Sequence, residues 1–117
     1  MLSISGNSRI FVCRSPTDMR RSFNGLSSMV EKLLHENIFE QGAYFIFINR
    51  RRDRLKALYW DGDGLALWYK RLEKGTFPLL AGEGVKAEIK ASELAMILQG
   101  LQPSKIKTRF YLKKSSF

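Results

Sequence analysis

Three short apolar and aromatic runs, separated by turn residues, constrain this chain most: residues 44–48 (YFIFI), 55–60 (LKALYW) and 65–69 (LALWY). Each is short and rich in side chains that suit a pleated surface, so each predicts a strand. The polar stretch 49–54 joins the first two. Asp61-Gly62-Asp63-Gly64 joins the second and third with residues that tolerate positive φ. Strands so closely joined predict an antiparallel meander. Alternation sets Tyr44, Ile46 and Ile48 on one face and Phe45 and Phe47 on the other, so both faces need cover. A helix is expected on one. The other is left to a C-terminal helix, another subunit or a partner.

Upstream, Ile10, Phe11, Val12 and Cys13 form a further buried-strand pattern. A helix is expected next, with Ser15 as cap, Pro16 at the first helical position and Asp18 near the positive end of the dipole. Its predicted stripe is Met19, Phe23, Leu26, Val30, Leu33 and Asn37, ending near residues 35–37, with Arg20 and Arg21 exposed near its start. Edge strands are expected at 76–80 and 85–89, and a short helix from a Ser92 cap to a Gly100 stop. The expected fold class is therefore α+β: a small single domain, 1–103, with an antiparallel meander packed against an N-terminal and a short C-terminal helix. Residues 104–117 are read as a basic C-terminal arm.

Twenty Lys and Arg stand against eleven Asp and Glu, a net charge of +9 that favours a polyanionic partner. Arg50, Arg51, Arg52, Arg54 and Lys56 surround one acid, Asp53, and the acid-free arm holds Lys105, Lys107, Arg109, Lys113 and Lys114. With Arg20 and Arg21, these are the candidate DNA-phosphate contacts, through charge-assisted hydrogen bonds that carry little base specificity. The competing reading is a solvated hairpin tip and tail. Tyr59, Trp60, Trp68 and Tyr69 suit base stacking or, by the packing habit of aromatic strands, a core or protein interface that Lys70 and Arg71 extend. No apolar run approaches the ~20 residues of a membrane span, and residues 1–7 lack a secretory pattern, so a cytoplasmic protein is expected.

Catalytic patterns do not emerge. The single histidine, His35, has no nucleophile at useful spacing, and the single cysteine, Cys13, reads as a core thiol. Asp61 and Asp63 resemble the start of a calcium loop, but Leu65 and Leu72 occupy later ligand positions. Asp53 and Asp61 flank one strand, about 20 Å apart at ~3.3 Å per residue, too far to share a metal pair. No cofactor, metal or catalytic residue is expected.

The ordered blocks PTDMRRSFNGL (16–26), NRRRDRLK (49–56), YWDGDGL (59–65) and KRLEKGTF (70–77) resemble a known family. It is the TnpB-type, or second-open-reading-frame, accessory protein of the IS-sixty-six class of bacterial insertion sequences. That family is distinct from the RNA-guided nucleases sharing the TnpB label. The resemblance spans nearly the whole chain. Asn24 departs from the family's frequent Asp, and 76–79 lacks its frequent Trp-Pro pair. The resemblance implies a non-catalytic role in transposition, beside a separate transposase that carries the acidic catalytic residues. Two mechanisms remain open: contact with DNA phosphates, or a protein adaptor that docks on transposase or self-assembles through the aromatic sheet.

Overall fold

A computed structural model describes Leu2 and residues 4–100. Along the chain come β1 (Arg9–Cys13), α1 (Phe23–Lys32), β2 (Ala43–Ile48), β3 (Arg54–Trp60), β4 (Leu65–Arg71), β5 (Lys86–Ile89) and α2 (Ala91–Leu98). The class is α+β, as expected. The arm at 104–117, with its five expected phosphate contacts, lies outside the described residues.

The meander is present: β2 pairs antiparallel with β3, and β3 with β4, through the Asp61–Gly64 turn, where Gly62 takes φ 81°. The sheet around it differs from the expectation. Its order is β4-β3-β2-β1-β5, with β1 parallel to β2 and β5 antiparallel to β1, so it is mixed. The physical reason is α1, which crosses over the sheet and returns the chain in the same direction, something no tight hairpin can do. β1 and β2, both interior to the sheet, are then buried on both faces, which accounts for their unbroken apolar runs.

Each face has its own core. On one, Phe11, Phe45, Phe47 and Leu58 pack with Leu26, Val30, Leu34 and Ile38, from α1 and the chain just after it. On the other, Ile10, Val12, Ile46, Leu55 and Phe77 pack with Leu94 and Ile97 of α2. The second cover is therefore the C-terminal helix. Cys13 is buried in the first core, and burial pushes its thiol pKa up.

The helix expected from Ser15 instead begins at Phe23, after Ser22. Local capping signals lose to tertiary bonds. The Thr17 N–H donates to the Ile48 carbonyl at 2.9 Å, and the Lys56 ammonium donates to the Met19 and Arg21 carbonyls at 2.8 and 2.7 Å. Those carbonyls would otherwise accept helical N–H groups four residues on. The far end differs too. The helix stops at Lys32 and the chain leaves through His35 at φ 55°, so Leu34 and Ile38 enter the core while Leu33 and Asn37 stay exposed.

Residues 76–80 form no strand, yet Phe77 is fully buried. Its backbone bonds to the β2–β3 turn rather than to a sheet edge. α2 starts at Ala91, with Lys90 as N-cap instead of Ser92; the Glu93 carboxylate accepts the Lys90 N–H at 3.0 Å. Gly100, at φ 80°, follows its end as expected.

Candidate nucleic-acid interface

Asn49 organises the cationic turn. Its side-chain oxygen accepts the N–H groups of Asp53 (3.1 Å) and Arg54 (3.0 Å), and its amide donates to Asp53 Oδ1 at 2.7 Å. That last bond holds the Asp53 carboxyl below the usual range, with the nearby charges of Arg54 and Arg51 adding to it. Asp53 therefore serves the turn itself and makes no salt bridge with a flanking arginine.

The arginines of the turn separate by role. Arg52 sits at φ 60°; its carbonyl accepts the Phe77 N–H at 2.6 Å and its Nη1 donates to the Phe77 carbonyl at 3.4 Å, which ties the turn to the body. Arg50 and Arg51 are exposed and form no salt bridge among the described residues. Arg54 opens β3, and its Nη1 donates to the Tyr69 hydroxyl at 3.3 Å. Lys56 is buried, 6% exposed, so it is withdrawn from the expected phosphate contacts. Two backbone carbonyls and the Tyr69 ring, 4.8 Å away, hold its ammonium inside.

The same bonds fix the backbone of the segment that carries Arg20 and Arg21, although neither side chain lines the groove at the turn and that of Arg21 lies beside Gly25 of α1. The Thr17 backbone bonds the end of β2, and an open groove between residues 17–19 and the turn is lined by Arg50, Arg51 and Arg54 together with Asn49 and the acids Asp18 and Asp53. Arg20 is paired with Asp18 at 2.6 Å; its hydrogen bonds pull the Asp18 carboxyl down to about 2. Arg71 joins this face from β4. It stands directly opposite Arg54, with which it and Tyr69 line a second cleft. Like charges facing each other across strands repel. Glu73 relieves part of that, bonding Arg71 at 2.7 and 3.0 Å. Sequence alone places Arg71 at a protein interface; the spacing about the Asp61–Gly64 turn is the signal that pairs it with Arg54.

The six residues expected at a protein interface do not share one surface. Tyr59, Trp68 and Lys70 lie on the α2 side: Tyr59 packs on Tyr44 at 4.8 Å between ring centres, Trp68 on the core, and Lys70 donates to the Leu98 carbonyl at 3.3 Å. Trp60, Tyr69 and Arg71 lie on the other, where Trp60 meets Phe39 edge-on at 5.4 Å. Tyr69 is the most open of these rings, 47% exposed.

Among the described residues, no three His, Cys, Asp or Glu side chains converge on a possible metal position. No helix of the described residues is long and apolar enough to cross a membrane.

Residues 8–108 match the family model described as IS66 Orf2 like protein. The chain belongs to this family. Two uncharacterized proteins of Sinorhizobium fredii are similar over most of their length. Protein y4jC is 33% identical over 109 residues, covering 93% of this chain and 92% of its own. Protein y4hO is 34% identical over 101 residues, covering 86% and 87%. No solved structure matches. Membership in the IS66 Orf2-like family suggests an accessory role in transposition.

Proposed function

We propose that the protein is a non-catalytic transposition accessory factor that contacts DNA phosphates, without base reading, beside a separate transposase subunit. One observation carries the proposal: the fold sets Arg50, Arg51, Arg54 and Arg71 around two adjoining open clefts, with the 17–19 segment, next to the exposed Arg20 and Arg21, on the wall of one. Asp18 pairs with Arg20 and Glu73 with Arg71, while Asp53 is engaged by Asn49. A surplus of guanidinium on an exposed, grooved surface suits a phosphate backbone, because each fork offers paired donors to phosphate oxygens. Residues 104–117 add five cations and no acid to the chain, a composition that suits the same polyanionic partner.

Titrating the full chain with duplex DNA at low and high salt tests this. Affinity should fall steeply with salt and vary little with sequence. Salt-independent binding, or undiminished binding by an Arg50→Ala/Arg51→Ala variant, would overturn it.

A further inference from the structure

The outer edge of β4 is paired with no strand among the described residues. Two bonds at the ends of the β3–β4 ladder settle which of its backbone groups face outward: the Asp61 N–H donates to the Gly64 carbonyl at 2.8 Å, and the Leu72 N–H to the Asp53 carbonyl at 2.7 Å. Hydrogen-bonded and non-hydrogen-bonded pairs alternate along an antiparallel ladder. Ala66, Trp68 and Lys70 therefore turn their N–H and C=O groups toward β3. Leu65, Leu67, Tyr69 and Arg71 turn theirs to the open edge.

The two edges of the sheet are not alike. β5 spans only Lys86–Ile89, and its Lys86 and Glu88 are drawn into ion pairs with Glu36 and Arg9. Short length and charge are the usual defences of an edge against another strand. β4 has seven residues, carries no charge from Leu65 to Tyr69, and contains no proline. Such an edge is a template for strand addition.

We propose that β4 pairs antiparallel with β4 of a second copy, about a two-fold axis at Trp68, so that one sheet runs through both chains. The strand is complementary to itself in that register. Leu65 meets Arg71, Ala66 meets Lys70, Leu67 meets Tyr69 and Trp68 meets its own copy, so every outward-facing backbone pair finds a partner. Each cation then opposes an uncharged residue, whereas a parallel in-register pairing would line up Arg71 with Arg71. The Trp68 pair is of the close, non-hydrogen-bonded kind, with Cα atoms about 4.5 Å apart. An axis perpendicular to the sheet also leaves both cationic faces on the same side. The pairing stands independently of the DNA proposal and has the opposite salt signature. Two chains of net charge +9 repel, so added salt strengthens the dimer while it weakens phosphate binding.

Sedimentation of the full chain at low and high salt should show a doubled mass whose share rises with salt. Leu67→Pro removes one outward N–H and no bond to β3; it should yield a folded monomer, with circular dichroism checking the fold. Trp68→Cys should cross-link two copies on mild oxidation, since the native Cys13 is buried and the Cα spacing suits a disulfide. This second variant decides the matter if Leu67→Pro fails to fold. A monomeric wild type at all salt concentrations overturns the pairing. So does a dimer in which Trp68→Cys does not cross-link. A monomer whose β4 edge instead binds a transposase strand, in a Leu67-dependent way, overturns self-pairing as well.

Discussion

The ammonium of Lys56 donates to the backbone carbonyl of Arg21 at 2.7 Å, from inside the protein. A strand residue thus holds the loop that carries two exposed cations, and one bond links the core to the proposed DNA-binding face. Its partner bond to Met19, at 2.8 Å, makes the anchor bidentate.

Lys56→Met keeps most of the apolar stem and removes the charge-assisted bonds, leaving two carbonyls short of a donor. Stability should fall by about 2 kcal/mol, read as a lower urea midpoint with an unchanged slope. A variant as stable as wild type would show that the anchor contributes nothing net.

Arg50→Ala/Arg51→Ala disturbs no packed side chain, so unfolding stability should stay within about 0.5 kcal/mol of wild type. The logarithmic salt dependence of DNA binding should become shallower by about 1 for each phosphate that the variant no longer engages. Arg52→Ala should behave differently, lowering stability because its side chain bonds the Phe77 carbonyl.

Phe77→Ala opens a cavity beneath α2, where the ring is fully buried against Leu94 and Ile97. A loss of about 3–5 kcal/mol is expected in denaturant unfolding. A loss below about 1 kcal/mol would mean that the 76–80 segment is not held in the core.

Gly62→Ala meets no steric obstruction, since nothing lies within 4 Å of an added Cβ, but φ of 81° strains any L side chain. The melting temperature should drop by the equivalent of about 1–2 kcal/mol. Gly62→Asn should cost less, because Asn tolerates this region.

Asp18 should titrate at about 2 in the folded protein, first through its side-chain hydrogen bonds to Arg20. Its ordinary value is about 3.9. A depressed folded pKa means that its contribution is present above the unfolded value and is lost as pH falls through about 2. Carboxyl NMR titration should show Arg20→Ala moving Asp18 back toward the ordinary range. Because Asp18 and Arg20 are both on the surface, the shift should shrink at high salt.

Much of the meander was legible because its signals are local. The alternation of Tyr44, Phe45, Ile46 and Phe47 sorts correctly onto two faces, and the Asp61–Gly64 turn pairs β3 with β4. Ser15 and Pro16 are an equally local signal, yet Lys56 and Ile48 draw the following segment away from a helix. Nothing near Arg9–Cys13 in sequence says that this strand lies between β2 and β5, parallel to the first and antiparallel to the second.

Residue order alone determined the strands of the meander, the glycine-dependent turn and the stop after α2, because side-chain alternation and backbone sterics act over a few residues. Tertiary structure decided that Lys56 is an anchor rather than a DNA contact, that Arg71 joins Arg54, and that α2 covers the second sheet face. Those outcomes depend on groups far apart in the chain, whose hydrogen bonds and buried surfaces exist only once the sheet has assembled.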